Sequence, residues 1–478
     1  MVLGTLVPSQ RMLWCSVEEK RPMEQTTLVE SAVRELKSRL RGDDVITPAD
    51  NRYDAARKVW NGLIDRRPAL IVRCSSAADV LTAVRVARAH DLLVAIRGGG
   101  HNVGGTAVCE GGLVIDLLGM KAIRVDPAAR TVRADAGVRW RELDRTTQTF
   151  GLATPGGTDS EVGIAGLTLG GGNGWLMGLY GATCDNVISV DLVMADGRFV
   201  TASDKENEDL FWAVRGGGGN FGVVTSFTYR LHSVGPVVLG GMVTYPFAQS
   251  TQVLQHYREC TRTAPDELTV YACLITSEDG EPVVALAACY AGPLERSEDV
   301  VRPLRTCGTP LADQLRPMRY TELQSLIDEA RPAGRRCTMR SHFMSELSDA
   351  AIATLIEEFG RAPSPWSAVI VEHCHGAITR VPPDATAFGL RTAPYHFEIL
   401  AFWDDQAQSA ANVRWAEDFF AATQPFSSGE VYVNSLDQGE AHRIRDAYGA
   451  NYQRLVALKN KYDATNFFRC NQNIVPSI

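Results

Sequence analysis

Glycine is concentrated in three short stretches of this chain, and no other feature limits its fold as much. The first, Arg97-Gly98-Gly99-Gly100-His101-Asn102-Val103-Gly104-Gly105, packs five glycines into nine residues directly after the apolar run 92–96. That run reads as a buried strand. Without a Cβ, the backbone after it can turn sharply and aim successive N–H groups at a ligand, a geometry suited to a pyrophosphate. The second stretch runs from Pro155-Gly156-Gly157-Thr158 to Gly170-Gly171-Gly172-Asn173-Gly174, and the third is Arg215-Gly216-Gly217-Gly218-Gly219-Asn220-Phe221-Gly222. So much glycine costs stability, which implies that something approaches the backbone closely. The spacing is not G-x-G-x-x-G opening a helix, which argues against a Rossmann fold.

The chain is 478 residues long, enough for two or three domains. Residues 1–44 carry only a helical segment near 28–40. A strand at 70–73, a helix capped by Ser75 or Ser76, and the strand 92–96 form a strand–helix–strand unit ahead of the first glycine turn. Further strands are expected at 113–116, 123–125, 131–134, 187–194, 198–201 and 223–231, with helices at 140–150 and 209–214. Pro236 marks a change of character. From about 237 to 430 the glycine clusters stop. Strands at 237–245, 268–275, 283–290, 366–374 and 395–403 mix with helices at 250–262, 295–305 and 348–360, which predicts an antiparallel sheet covered by helices. A strand is expected at 431–434, and Arg335, Arg336 and Arg340 read as a solvated loop.

A net charge of -8 argues against nucleic acid or a polybasic membrane surface as partner. No run of about 18 apolar residues predicts a membrane helix. The first ten residues lack a basic n-region and an apolar h-region, so a cytoplasmic location is expected. The eleven cysteines are scattered, with no C-x-x-C, which fits a reducing compartment and neither zinc nor a dithiol motif. His373 and His375 would share a strand face without an obvious carboxylate, so no metal is expected.

Acid–base chemistry is suggested in two places. In Tyr395-His396-Phe397-Glu398-Ile399-Leu400, alternation puts His396, Glu398 and Leu400 on one face. An imidazole and a carboxylate two apart are unusual on a core strand. In the expected strand 431–434, Tyr432 and Asn434 share a face.

Four landmarks coincide in order: Arg-Gly-Gly-Gly-His at 97–101, the glycine region 155–174, Gly181-Ala182-Thr183-Cys184-Asp185-Asn186, and the tail Tyr462-Asp463-x-x-Asn466-x-Phe468-Arg469-x-Asn471-Gln472-Asn473-Ile474. Together they resemble the berberine bridge enzyme-like branch of the vanillyl alcohol oxidase flavoproteins, over about residues 45–478. The resemblance implies an α+β fold. A PCMH-type FAD-binding domain of two α/β subdomains would span 45–236, a substrate domain with a helix-covered antiparallel sheet 237–430, and a C-terminal segment 431–478 would complete the FAD site. It implies FAD bonded twice, through His101 to the flavin 8α-methyl and through Cys184 to C6. The histidine must be neutral for this, and the cysteine needs thiolate character, which its neighbour Asp185 would not favour.

By the same resemblance, Arg97, Gly98, Gly99, Gly100, Asn102 and Gly104 would hold the pyrophosphate end, and Gly157, Thr158, Gly163, Gly166 and Gly171 would run along the dinucleotide. Val223 and Val224 would lie near the adenine, with Asn471 and Asn473 reaching in from the tail. Glu398 is the favoured base and Tyr432 its competitor; His396 and Asn434 would line the substrate site, and Ile164 sits where relatives gate oxygen. The implied activity is hydride removal from a CH–OH or CH–NH carbon of a bulky sugar, alkaloid or other natural product. Molecular oxygen would reoxidise the flavin and give hydrogen peroxide, in a monomer or homodimer without nucleic-acid or membrane partners. The alternatives are a dehydrogenase with another acceptor, or a flavin-bearing protein catalysing a non-redox cyclisation or isomerisation.

Overall fold

Ser76 starts the helix that carries the chain into the first glycine turn. Its hydroxyl accepts from the Asp79 N–H while the Asp79 carboxylate accepts from the Ser76 N–H, a reciprocal capping box. The helix Ala77–Ala89 buries Val80, Ala83, Val84, Val86 and Ala87. The computed structural model describes residues 22–477; the first ten residues, read above for a signal sequence, lie outside the described residues. Strands Leu70–Arg73, Leu113–Asp116 and Val94–Arg97 are parallel, and Val45–Ile46 adds an antiparallel edge. Parallel strands buried on both faces explain the near-continuous apolar runs.

The second sheet is antiparallel, ordered Ile123–Asp126, Thr131–Asp135, Val223–Arg230, Val187–Val193 and Phe199–Ser203. The turn at Gly197, with φ of 77°, joins its last two strands. One apolar core joins both sheets and takes in the tail residues Leu455, Phe468 and Ile474.

The third sheet is antiparallel throughout. Along its path Val237–Pro246, Pro282–Tyr290, Leu268–Thr276, Ala368–His373, Tyr395–Trp403 and Arg336–Met344 lie side by side. Helices Ser250–Thr261, Asp349–Phe359 and Ser409–Thr423 cover one face; Phe397, Ile399, Ala401 and Trp403 pack there with Tyr257, Leu355 and Phe419. The other face carries His396 and Glu398 and looks toward the glycine loops.

Two sequence expectations fail here. Residues 336–344 form a nine-residue strand rather than a solvated loop. Their arginines are absorbed by neighbours: Arg335 lies 3.8 Å over the Trp366 ring, and Arg340 reaches Asp437 at 3.3 Å. Conversely, 431–434 is no strand. Residues Val433–Ser435 make a 3-10 turn; the chain meets the edge strand Arg336–Met344 only briefly, at Ser427–Glu430, and then turns away. The helix Ser409–Thr423 was not anticipated.

Candidate active site

One continuous cavity runs between the glycine loops and the bare face of the third sheet. Its first wall is built by contact between backbones. A Cβ on Gly99 would sit 2.4 Å from the Gly163 nitrogen, and a Cβ on Gly163 would sit 2.4 Å from the Gly99 nitrogen. Only glycine at both positions lets the two loops press together. Beneath them Arg97 Nη2 donates to Asp116 Oδ2 at 2.6 Å, both side chains being only 4% exposed. Arg97 therefore braces the strand ends and does not line the cavity, contrary to its expected role as a cofactor contact.

The tail is pinned from below. Lys459 and Asp463 form a fully buried pair at 2.7 Å. The Asp463 carboxylate accepts from the Phe467 and Phe468 N–H groups, and Lys459 Nζ donates to the carbonyls of Asn220 and Phe468. Asn220 completes the clamp: its amide donates to the Gln472 carbonyl and accepts from the Ile474 N–H. These bonds account for Asp463 in the tail motif, and they set Asn471 and Gln472 in the cavity wall.

His101 lines this cavity, its ring stacked on Trp60 with centroids 5.0 Å apart. Burial, helped by the charge of Arg139, lowers its pKa to about 4, so the imidazole is neutral at ordinary pH. Gly98, Gly99, Gly100, Asn102, Gly157, Thr158, Gly163, Gly166, Val223, Val224 and Asn471 all line the same space.

Cys184 does not. Its side chain is fully buried among Met177, Ala182, Phe343, Phe388 and Tyr432 in a cluster behind the cavity wall. Burial, and then the Asp185 charge, push its thiol pKa well up, so it has no thiolate character. Asp185 is held bidentate by the buried Arg391, at 2.8 and 2.7 Å, and Asn186 donates to the carbonyls of Tyr180 and Ala182. The Cys-Asp-Asn landmark is thus a structural turn, and the expected second flavin link through Cys184 is corrected. Four further expectations change likewise. Gly104 packs against the backbone of Asp437 and Gln438, and Gly171 against the Phe388 ring. Asn473 lies outside the cavity lining, and Ile164 turns fully into the core, leaving Val162 and Ala165 at the wall.

At the sheet end, His396 and Glu398 face the cavity with Tyr432 and Asn434 opposite. Tyr432 Oη accepts from the Gly172 N–H and from Asn434 Nδ2, both at 2.9 Å, so the turn 433–435 brings these two side chains together without a strand. Burial holds the Tyr432 phenol far above its ordinary pKa. Glu398 Oε1 accepts from Ser435 Oγ at 2.9 Å. Two wall residues escaped the sequence reading: Glu372, which accepts from Tyr271 Oη at 2.8 Å and meets His396 Nδ1 at 3.2 Å, and Tyr271 itself. Trp60, Asp159 and Arg331 also line the cavity and were not singled out. The alternation of strand 395–403 marked one partner, but the pairing of 268–276 with 368–373 is non-local and has no local signal. His373 and His375 stack at 5.1 Å, and among the described residues no group of three or more candidate ligands could hold a metal.

The cavity is shaped for an occupant. A Cβ on Gly166 or Gly219 would meet nothing within 4 Å, so both wall glycines open onto free space. Asn173 Oδ1 and Nδ2, Asn471 Oδ1 and Trp175 Nε1 are buried wall atoms with no partner among the described residues. Amide and indole groups beside bare glycine backbone match the alternating polar and planar parts of FAD. A flavin dinucleotide cradle facing a sheet with acid–base groups defines an FAD-linked oxidoreductase. The chain belongs to the berberine bridge enzyme-like family of these enzymes. It matches the family description "FAD binding domain" over residues 68–203 and "Berberine and berberine like" over 431–475. It is 34% identical over 423 residues to an FAD-linked oxidoreductase of Dictyostelium discoideum, covering 88% of this chain and 91% of the relative. It is 31% identical over 448 residues to (R)-6-hydroxynicotine oxidase of Paenarthrobacter nicotinovorans, covering 91% and 96%. Among solved structures, that of 6-hydroxy-D-nicotine oxidase from Arthrobacter nicotinovorans superposes with a TM-score of 0.84 at 30% identity, covering 90% of this chain and 97% of that one. BBE-like 1 of Physcomitrella patens gives 0.85 at 25% identity, covering 94% and 99%.

Proposed function

We propose that this enzyme is an oxidase that removes a hydride from a CH–NH or CH–OH carbon of a small molecule, with its FAD bonded once, through His101. The carrying observation is the single cavity that joins the His101 end to the Glu372, His396 and Glu398 face. When bound, the flavin supplies the two-electron acceptor, which no amino acid side chain can provide. The three glycine loops and the tail would hold its phosphates and ring, and neutral His101 would offer the lone pair that attachment needs. The apolar wall of Met339, Ile370, Cys273 and Ala287 takes the body of the substrate and excludes water. His396 and Glu398 handle its proton, and Tyr432 stays a neutral donor rather than a base. Two carboxylates beside aromatic rings favour an amine over a sugar, and the relative that oxidises 6-hydroxynicotine supports that preference. Molecular oxygen accepts the electrons and leaves as hydrogen peroxide. A cytoplasmic monomer or homodimer completes the reading; among the described residues no helix is long and apolar enough to cross a membrane.

The test is oxygen consumption and peroxide release over a panel of cyclic secondary amines, benzylic and secondary alcohols, and oligosaccharides. Turnover with amines ahead of sugars supports the reading. Flavin reduced by a panel compound but reoxidised slowly in air turns it to a dehydrogenase, and no reduction by any compound overturns it.

A further inference from the structure

Oxidation of such a carbon releases a proton as well as a hydride, and one atom of the cavity wall is built to take it. Three neighbouring strands place Tyr271, Glu372 and His396 in one lateral row: Tyr271 is in register with Glu372, and Glu372 with His396. Tyr271 Oη donates to Glu372 Oε1 at 2.8 Å, and the other carboxylate oxygen lies 3.2 Å from His396 Nδ1. An ionised carboxylate only accepts, so Nδ1 carries the ring hydrogen and Nε2 of the neutral ring keeps its lone pair. Nε2 is buried, belongs to a residue of the cavity wall, and has no hydrogen-bond partner among the described residues. The Glu398 carboxylate stands 4.0 Å from it, beyond hydrogen-bond reach, and Ser435 already engages that oxygen.

We propose that Glu372 and His396 form a carboxylate–imidazole pair in which His396 Nε2 takes the substrate proton and Glu372 is the positioning residue. The proposal rests on the oxidase reading. The substrate N–H or O–H bond breaks and its proton goes to Nε2. The electron pair left behind becomes the second bond of C=N or C=O as the carbon's hydride leaves for the flavin. The imidazolium formed lies between Glu372 and Glu398, which stabilise it as a carboxylate stabilises a catalytic imidazolium elsewhere. Glu398, favoured as the base from the sequence, becomes the second charge on the pair.

The other groups around the ring leave this arrangement intact. The Tyr432 ring meets it edge-on at 5.6 Å and Phe343 lies at 4.7 Å. His342, on the neighbouring strand, packs on Phe397 and Phe420 and is held neutral by burial. The Cys374 thiol, next to the row, is likewise held neutral by burial. Burial alone would lower the His396 pKa; the Glu372 hydrogen bond and the Glu398 charge outweigh it and hold it above its ordinary value. A base with a raised pKa is lost as pH falls through that value.

The experiment is histidine-15N NMR of the full-length, flavin-loaded enzyme across pH, with His396 assigned by its disappearance in His396→Gln. The proposal predicts a neutral ring protonated at Nδ1 and a midpoint above about 6.5. In Glu372→Gln, burial prevails and the midpoint falls by a unit or more. A ring protonated at Nε2, or a midpoint that Glu372→Gln leaves in place, overturns the proposal. The second arm is anaerobic reduction by whichever panel compound reduces the unaltered enzyme. Glu372→Gln and His396→Gln, both retaining flavin absorbance, should slow reduction at least about a hundredfold. The limb toward acid pH should move to lower pH in Glu372→Gln. A reduction rate unchanged in either variant also overturns the proposal. If no panel compound reduces the flavin, the oxidase reading fails, while tautomer and midpoint still decide the pair.

Discussion

Asp144 is a carboxyl group kept where water cannot reach it. Gln324 Nε2 donates to its Oδ2 at 2.9 Å, while Asp144 Oδ1 and Gln324 Oε1 are both buried without a partner. A proton on Oδ1 gives the pair the donor it lacks, and burial accordingly raises the pKa to about 7. Between the ordinary carboxylate range and about 7 the folded chain binds a proton that the unfolded chain has lost. The contribution of Asp144 to stability therefore falls as pH rises from about 4 through about 7, and is flat below that window. Asp144→Asn keeps the shape without the charge. Its melting temperature relative to the unaltered enzyme should rise as pH goes from 5 to 8; a difference that does not change with pH would contradict this. None of it was legible in the sequence, where Asp144 is one acid on an amphipathic helix. The place of His101 on a cavity wall was legible because its neighbours are glycines. Cys184 misled, because its motif resembles an attachment site while Asp185 and Asn186 serve a turn.

Elements were read well wherever periodicity is strong. The strand 395–403 and the faces of its residues follow from strict alternation, and the helix after Ser76 from its cap. Failures came where partners are distant: Arg336–Met344 becomes a strand because it pairs along its whole length with Tyr395–Trp403, although its arginines suggested a loop. The tail shows how much one element depends on a buried pair. Lys459 and Asp463 are both fully buried, and burial lowers the Lys459 pKa. Removing one partner strands the other charge, at a cost of roughly 3–5 kcal/mol. Asp463→Asn should lower the denaturant midpoint and release the 466–474 segment, seen as flavin lost more easily from the folded enzyme. A midpoint within error of the unaltered one would show that the pair carries no such weight.

At the scale of the molecule, the cavity exists because two cores close on each other through a few buried polar ties. Asn61 is one of them: its amide donates to the carbonyls of Val103 and Cys337, and its oxygen accepts from the Cys337 N–H. It thereby joins the first glycine turn to the edge strand of the third sheet. Asn61→Leu removes these bonds, together with the one its oxygen accepts from the Leu63 N–H, and should reduce flavin incorporation severalfold at little cost to the circular dichroism of the chain, checked by flavin-to-protein ratio. The glycine clusters stop near Pro236, and the first long strand of the third sheet starts at Val237. The tie between the two cores was invisible, since Asn61 and Cys337 lie 276 positions apart. The account as a whole turns on a flavin held in that cavity by one imidazole. Proteolysis of the acid-denatured enzyme, followed by mass spectrometry of the yellow peptides, tests it most directly. The flavin should be found on the peptide containing His101 alone, be absent from denatured His101→Ala, and be retained in full by Cys184→Ala; flavin on the Cys184 peptide, or colour released entirely into the acid supernatant, would contradict the account.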